Sequence, residues 1–570
     1  MKYVKPLLFT IFSVVVLIFL VAYFILRASL PSLDKEFSTQ WIKAATTIER
    51  DSIGVAKITA ASHSDAVFAL GYAHGQDRLF QMDLLRRSAA GELSEILGNI
   101  AINVDKKARF HQFRQRAKKA VKNLPEDQKI LLESYAKGVN LAASEYTARP
   151  FEYLLTSTEF RDWLPEDSLL VSYSMYLDLQ GNQVERDLVN TFLVEEFGYD
   201  LVDFFNMPSP YQAPLDGTIV RGQNPDIPSL NLNSSKTGIS TDAQNSLLAY
   251  NSIPEPLDIG SNNWAVTGSL TDTDSAMVSD DMHLGLRVPP IWYRAQLNYK
   301  TDGNNTTITG VSLPGTPIII VGSNGYVAWG FTNANLDNVD WIRLNESTKT
   351  RVVNEVIKLK NSEEVLEIEM SQYGPVKTMN GSRYALAWVA HQDYAVNMSI
   401  MEMAEAKNLT EAFAIADKVR IPVQNFMLAD SQGNAGWRPI GAVAARTTPT
   451  LFAIDEKDYS ELWLVQEAEL PTYINPSHGR LWTANARVIS ANDFLRYGDG
   501  GYAIGARGLQ IRDRLFEKQR FNEQDFYSIQ MDNDARFIMP WHTKLINLLG
   551  NNEKRYANDI KILKQWKNCA

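Results

Sequence analysis

An uninterrupted apolar run of 20 residues, Leu7 to Leu26, opens the chain and carries no charged side chain. About 20 apolar residues are needed to cross the hydrocarbon core of a bilayer, whereas the apolar region of a cleaved signal peptide has about 7–15. No clean Ala-x-Ala cleavage pattern follows the run. The pattern predicts an uncleaved signal anchor over residues 1–29, and a cleaved signal peptide is the alternative.

The charges that flank the apolar run predict its orientation. Lys2 and Lys5 precede it, and positive charge favours the cytoplasmic side, so the bulk of the chain is expected on the far side of the membrane. Arg27, at the other end of the run, acts against this orientation. The sequence therefore predicts a protein held at a membrane through its N-terminal helix.

Composition excludes several other classes of protein. The 570 residues carry a formal net charge of −10, with both signs interspersed and no long basic block, so nucleic acid is not expected as a partner. Cys569 is the only cysteine, which rules out an intramolecular disulfide, and no Cys/His spacing is typical of a zinc site. A chain of this length exceeds a usual single core, and we expect a large layered or multidomain protein.

The pattern of apolar residues changes along the chain. "IERDSIGVAKITA" predicts two short strands around a turn, and helical spacing follows from His63 to Gly98, then over 124–144 and 165–197. Residues 208–259 are rich in Pro, Asn, Ser and Asp, which is typical of a linker. The chain beyond them is rich in strand patterns with intervening helices, so the predicted fold class is α+β.

Ser261 lies where this linker meets the first of those strands, in "LDIGSNNWAVTG". It is not part of a Gly-x-Ser-x-Gly nucleophile elbow, and no His/Asp pair at recognisable spacing follows. Cleavage between Gly260 and Ser261 would give the serine a free α-amine with a reference pKa of about 7.7–8.0, which can act as its base. An ordinary loop serine is the alternative interpretation.

The chain resembles the penicillin acylase family of N-terminal-nucleophile hydrolases from about residue 30 to its end. The resemblance rests on eight motifs in the order of that family: "RDSIGVAKI", "GYAHGQDRLFQMDLLRRSAAGELSEILG", "WLPEDSL", "GSNNWAV", "DDMHLGLRVPPIWY", "GTPIIIVGSNGYVAWGFTN", "RIPVQNFMLADSQGNAGW" and "WTANARV".

The resemblance implies a precursor that cuts itself before Ser261 and folds as a four-layer αββα sandwich. Its parts would be a largely helical first chain over 30–235, a spacer over 236–260 removed on maturation, and a second chain over 261–570. Members of this family continue past the position of Ala570, so the resemblance also implies that a C-terminal part is missing.

The resemblance further implies a set of catalytic residues. Ser261 matches the nucleophile and its amine the base, while His283 matches a residue that orients the serine. Asn485 matches the side-chain donor to the developing oxyanion, and Asn333 the position whose backbone N–H is the second donor. Arg507 matches an arginine that holds Asn485. The alternatives are a histidine packed at a strand end, one asparagine in a turn and the other at a strand end, and an exposed arginine.

Several members of the family hold one structural Ca²⁺, which prefers oxygen ligands at short spacing. The matching positions are Glu185 in the first chain and Asp337, the Val339 carbonyl and Asp340 in the second. A charged loop without metal is the alternative, and no organic cofactor is implied.

The implied activity is hydrolysis of an acyl-amide bond, on the periplasmic side of the inner membrane. The acyl pocket is expected to contain Leu179, Leu284 and Val321, and the substrate stays open between penicillins, N-acyl homoserine lactones and other acyl amides, with His283 favouring acyl groups other than phenylacetyl. The rival hypothesis is a non-catalytic, membrane-anchored binding protein that keeps the fold.

Overall fold

The computed structural model describes residues 4–222, 228, 260–301, 303–447, 449–466 and 470–566. Helices dominate the part before residue 222, and strands dominate the part after residue 260, so the predicted mixture of helix and sheet is confirmed. The helices are α1 Val4–Ala28, α2 His63–Ala90, α3 Ser94–Leu97, α4 Ile102–Phe110, α5 Phe113–Asn123, α6 Glu126–Ser144, α7 Phe151–Thr156, α8 Pro165–Phe197, α9 Tyr199–Phe205, α10 Leu409–Ala416, α11 Ala491–Tyr497, α12 Ala506–Phe516, α13 Glu523–Gln530, α14 Met539–Gly550 and α15 Glu553–Gln565.

The strands form one large sheet and three small ones. They are β1 Thr47–Arg50, β2 Ala56–Thr59, β3 Gly260–Val266, β4 Met277–His283, β5 Tyr293–Thr301, β6 Asn304–Ser312, β7 Ile319–Ser323, β8 Val327–Asn333, β9 Val339–Arg343, β10 Arg351–Lys358, β11 Glu363–Met370, β12 Val376–Met379, β13 Ser382–Trp388, β14 Gln424–Asp430, β15 Ala435–Ile440, β16 Ile454–Asp455, β17 Tyr473–Ile474 and β18 Arg480–Thr483.

The apolar run at the start of the chain forms α1. Residues Leu8–Ala28 are long and apolar enough to cross a membrane, and none of this stretch is buried against the rest of the protein. By length and composition this one helix suits a membrane span, and a signal sequence near the N-terminus has the same properties.

The helices of the first part follow local signals in the sequence. The Ser62 side chain caps α2 by accepting the Asp65 N–H at 3.2 Å, and the helix ends at Gly91, whose φ of 66° suits glycine. A Cβ on Gly71 would lie 2.3 Å from the Tyr135 carbonyl oxygen, so α2 and α6 pack with their backbones close together. Pro165 stands in the first turn of α8, where a missing N–H costs nothing.

Two of the sheets meet around the segment that contains Ser261. The nine-stranded sheet has the order β1-β2-β5-β6-β7-β8-β14-β15-β17, and the three-stranded sheet has the order β18-β3-β4. A Cβ on Gly330 of β8 would lie 2.7 Å from the Asn263 side chain of β3 and from Cβ of Asp280 of β4. This close approach presses the short sheet against the middle of the large one.

The predicted elements correspond closely to the observed ones where the chain is described. The pair β1 and β2 is the predicted hairpin, and α8 covers the predicted helix over 165–197. The predicted spacer over 236–260 lies outside the described residues except for Gly260. Its removal, and the boundaries of the two chains, stay predictions.

Candidate active site

Ser261 is the second residue of β3 and is buried, with 7% of its surface exposed. The strand runs between β18 and β4, and Ser261 lies opposite Met282 while Gly260 lies opposite His283. β4 pairs with β3 along its whole length, whereas β18 pairs with it only from Asn263 to Val266. Ser261 therefore lies at the start of a strand that is paired on one side at the serine and on both sides beyond it.

Asn485 contacts both the backbone and the side chain of Ser261. Its Oδ1 accepts the Ser261 N–H at 2.8 Å, and its Nδ2 donates to Ser261 Oγ at 3.0 Å and to the Asn333 carbonyl oxygen at 3.3 Å. The φ of Asn485 is 63°, a left-handed conformation that asparagine tolerates better than most residues. The structure thus brings three predicted residues together through one amide group.

Arg507, near the start of α12, supports this arrangement from the other side. Its Nη2 donates to Asn485 Oδ1 at 3.0 Å, and its Nη1 donates to the Ser261 carbonyl oxygen at 3.1 Å and to Asn262 Oδ1 at 2.6 Å. Burial lowers the pKa of Arg507 from its ordinary value, while the charge of Asp281 opposes that shift. The arginine fixes the orientation of the Asn485 amide because its guanidinium can only donate.

His283 lies at the end of β4, beside the peptide bond that joins Gly260 to Ser261. A Cβ on Gly260 would lie 2.6 Å from His283 Nε2 and 3.0 Å from Arg507 Nη2. The other ring nitrogen, Nδ1, lies 3.0 Å from the Asp281 carbonyl oxygen and 3.5 Å from its carboxylate. His283 is therefore oriented by Asp281 and directs Nε2 toward Gly260.

Two aspartates next to His283 belong to this site although the sequence did not single them out. Asp281 Oδ2 accepts from Asn262 Nδ2 at 2.9 Å, and its contact with His283 is the main reason that its pKa lies below the ordinary value. Asp280 is partly buried and accepts from Asn263 Nδ2 at 3.0 Å and from the Phe331 N–H at 3.2 Å, yet burial raises its pKa well above the ordinary value. Their position in "DDMH", directly before His283, was the only sequence signal.

Asn333 is anchored at the end of β8 by its side chain. Its Nδ2 donates to the Leu179 carbonyl oxygen of α8 at 2.8 Å and to Asn335 Oδ1 at 2.6 Å. Its carbonyl oxygen accepts from Asn485, as described above, and also from Asn425 Nδ2 at 3.3 Å. Asn333 therefore joins the serine site to the helix that carries Leu179.

A cavity of about 100 Å³ opens beside Ser261. Its wall is largely apolar and is drawn from both parts of the chain: Ser172, Met175, Leu179, Ser261, Met282, Leu284, Trp292, Leu313, Thr316, Ile318, Ile320, Phe331, Asn333, Ile400, Ile421, Pro422 and Gln424.

Two of the three residues predicted for this pocket, Leu179 and Leu284, lie in its wall. Val321 does not line the cavity, whereas its neighbour Ile320 does. Successive side chains of a strand point to opposite faces, so a shift of one residue along β7 moves the side chain away from the cavity. Ile320 rather than Val321 therefore lies in the wall of this cavity.

The four residues predicted as calcium ligands have different partners in this structure. Glu185 is 46% exposed, and its Oε2 lies 3.8 Å from Lys377 Nζ. Asp337 and Asp340 both form ion pairs with Arg446, and Val339 is buried within β9. Among the residues that the structure describes, no group of three or more His, Cys, Asp or Glu side chains could hold a metal ion. In this structure Arg446 supplies positive charge to two of the four residues, Asp337 and Asp340, and the calcium ion stays a prediction.

Ser261 is buried at the start of a strand, where Asn485 and Arg507 both form hydrogen bonds with it. These contacts define a serine site in a protein of mixed helix and sheet. The Penicillin amidase family model matches residues 45–569, so the chain belongs to that family.

Relatives of the chain carry two kinds of name. It is 26% identical to acyl-homoserine lactone acylase QuiP of Pseudomonas aeruginosa, over 86% of this chain and 61% of that protein. It is 26% identical to penicillin acylase 2 proenzyme of a Pseudomonas species, over 89% of this chain and 67% of that one. A thermostable penicillin G acylase structure from Alcaligenes faecalis matches 54% of this chain and 59% of its own, at 20% identity and a TM-score of 0.45. The chain thus spans about three fifths of the length of its acyl-homoserine lactone acylase relative.

Proposed function

We propose that this chain hydrolyses acyl-amide bonds by acyl transfer to Ser261. The observation that carries the proposal is the double contact of Asn485 with the backbone nitrogen and Oγ of Ser261, at the wall of an apolar cavity. Both named relatives described above are acylases, which supports the same reaction. An amide substrate would place its acyl group in the cavity and its carbonyl carbon against Oγ.

Maturation is the first step of the proposed function. Cleavage of the bond between Gly260 and Ser261 would turn the backbone nitrogen, now 2.8 Å from Asn485 Oδ1, into a free α-amine. That amine would take the proton of Oγ as the oxygen attacks the carbonyl carbon, and would return it to the leaving amine. Water would then hydrolyse the acyl ester with the same amine as base.

The cation of Arg507 supports the amine in this role. Its guanidinium contacts both the Ser261 carbonyl oxygen and the asparagine that holds the amine. A nearby positive charge disfavours the protonated form of an amine and lowers its pKa. The amine would therefore be unprotonated, and able to accept a proton, at a pH below its reference pKa of about 7.7–8.0.

The negative charge that develops on the substrate oxygen needs donors that are already in place. Asn485 Nδ2, 3.0 Å from Ser261 Oγ, is the side-chain donor in this proposal. The backbone N–H of Asn333 is proposed as the second donor, since Asn333 lies in the cavity wall with Ser261. Residues Asp281 and Asn262 hold His283 and Arg507, and thereby position the site.

The cavity favours an apolar acyl group, and the substrates open to it include the acyl parts of penicillins and N-acyl homoserine lactones. An apolar wall discriminates between acyl groups by only about 1–3 kcal/mol per methylene. We propose further that the mature protein is a heterodimer of two chains in a four-layer αββα sandwich. In this proposal α1 anchors it at the periplasmic side of the inner membrane.

Maturation and hydrolysis can be tested on the full-length chain. Protein purified with its N-terminal helix is analysed by intact mass and N-terminal sequencing, then assayed with phenylacetyl, glutaryl and fatty-acyl amides. We expect a second chain that begins with Ser261, and hydrolysis of at least one amide. Ser261→Ala should abolish both cleavage and hydrolysis. Ser269→Ala, at an exposed serine just after β3, is the control and should change neither cleavage nor hydrolysis.

Two results would contradict the proposal. One is cleavage and hydrolysis by Ser261→Ala at the wild-type level. The other is a wild-type chain that stays intact and hydrolyses none of the amides, which would favour the non-catalytic binding protein.

A further inference from the structure

The region where the family resemblance implies a calcium ion contains a buried arginine. Arg446 Nη1 lies 2.9 Å from Asp337 Oδ1 and 3.0 Å from the Asp337 carbonyl oxygen, and Nη2 pairs with Asp340 Oδ1. The side chain of Arg446 is 2% exposed, and those of the two aspartates are 1% and 0% exposed. We infer that the guanidinium of Arg446 takes the place of a metal ion at this position.

The argument is first one of space. Calcium binds carboxylate oxygens at about 2.3–2.6 Å, and the guanidinium nitrogens already pair with two of the oxygens it would use, Oδ1 of Asp337 and Oδ1 of Asp340. The guanidinium also stacks on Trp463, with its carbon 5.0 Å from the ring centroid. Trp463 is itself buried, so little room is left for the arginine to turn away.

The second argument is charge. Buried carboxylates need a counter-charge, and Arg446 supplies one positive charge to Asp337 and Asp340. A third carboxylate, Asp187 of α8, is within electrostatic reach of both and is paired with its neighbour Arg186. A divalent cation at this position would also meet the positive charge of Arg446, which a site with a low dielectric constant screens poorly.

The third argument is that Arg446 sits at a junction between elements far apart in the chain. Asp337 Oδ1 also accepts from Gln183 Nε2 of α8 at 2.6 Å and from the Val339 N–H at 3.2 Å. Asp340 Oδ2 accepts from the Tyr459 hydroxyl at 3.0 Å. The arginine therefore joins α8, the start of β9 and the segment around residue 459, as a bound metal ion would.

The wild-type protein gives the decisive test. The full-length chain in detergent is unfolded by heat with EDTA and with millimolar calcium chloride. We expect the Tm to agree within about 1 °C, because a ligand raises the Tm only if the folded state binds it. A saturable rise of the Tm with calcium, abolished by Asp340→Asn, would overturn the inference. This measurement does not depend on cleavage or hydrolysis, so it is independent of the proposed function.

A pair of variants tests the counter-charge directly. Arg446→Met leaves Asp337 and Asp340 without their cation and should lower the Tm by several degrees. Arg438→Met is the matched control, because Arg438 is also largely buried but pairs with the exposed Asp417. Equal losses of Tm in the two variants would contradict the role of Arg446. If Arg446→Met does not fold, the comparison of the wild-type protein with and without calcium decides.

Discussion

Asn485 binds Ser261 at two atoms, accepting its N–H through Oδ1 at 2.8 Å and donating to its Oγ through Nδ2 at 3.0 Å. In the proposed reaction the Ser261 nitrogen is the base and Ser261 Oγ is the nucleophile. One amide thereby sets the distance between them, and Arg507 sets the orientation of that amide. The two contacts lead to predictions that separate the roles of these residues.

Asn485→Ala removes the proposed side-chain donor to the oxyanion. The kcat of the mature enzyme should fall by about 10²–10³-fold, the usual cost of losing one such donor, with a smaller change in KM. The kinetics are measured with an acyl-amide substrate and normalised to the amount of chain that begins with Ser261. Asn354→Ala, at an exposed asparagine of β10, is the control and should retain the wild-type kcat. A wild-type kcat in Asn485→Ala would exclude the role.

Gly260→Ala should slow the cleavage before Ser261. Its new Cβ would lie 2.6 Å from His283 Nε2, so the strand or the histidine must shift. The half-time of cleavage is followed by gel electrophoresis after synthesis of the chain. Gly285→Ala is the control, since a Cβ there meets nothing within 4 Å. Normal cleavage of Gly260→Ala would show that the contact is not restrictive.

Arg507→Gln should move the acid limb of the pH profile of kcat/KM to higher pH. The arginine cation disfavours protonation of the Ser261 amine, so its removal raises the pKa of the amine, by up to about one unit. The profile is recorded between acid and mildly alkaline pH on mature enzyme. Arg512→Gln, on the same helix but paired with Asp513, should leave it unchanged. A shift to lower pH would contradict the electrostatic role.

Leu284→Ala should change the preference among acyl groups, and Val321→Ala should not. Leu284 lies in the cavity wall, whereas Val321 does not. The ratio of kcat/KM for a longer and a shorter acyl chain should change by about tenfold in Leu284→Ala, within the usual range for an apolar pocket. Both variants remove apolar side-chain atoms from partly buried leucine and valine positions. Equal effects of the two variants would argue against the observed cavity as the acyl site.

His74 makes the folded protein sensitive to acid. It is fully buried, and burial lowers its pKa to about 3 from 6.5. Below pH 6.5 the unfolded chain binds a proton that the native chain does not, so stability falls as the pH drops toward 3, by up to about 1.4 kcal/mol per pH unit. The Tm of His74→Gln is measured from about pH 7 down to about pH 4. As the pH drops, it should fall less steeply than the Tm of the wild-type protein. Parallel curves would contradict this assignment.

Local patterns in the sequence were enough to predict many elements of the fold. Pro165 marks the start of α8 and Gly91 marks the end of α2. Such helix limits depend on local backbone conformation, which residues close together in the chain determine. The family resemblance implied that Ser261, Asn485 and Arg507 share one site, and the structure places them in hydrogen-bond contact. The reaction they support stays a proposal.

Two features depended on long-range packing and could not be obtained in this way. The face of β7 that meets the cavity follows from its register with its neighbours, so Ile320 rather than Val321 lies in the wall. Asp280 and Asp281 gain their partners only when β4 lies beside β3 and against β8.

By itself the sequence determined the apolar N-terminal helix, the main helices and strands, and the serine at the head of β3, because these depend on hydrophobic period and turn residues close together in the chain. Only the tertiary structure decided that Arg446, rather than Glu185, meets Asp337 and Asp340. The physical reason is that a buried carboxylate needs a positive charge beside it. Packing between residues far apart in the sequence decides which cation that is.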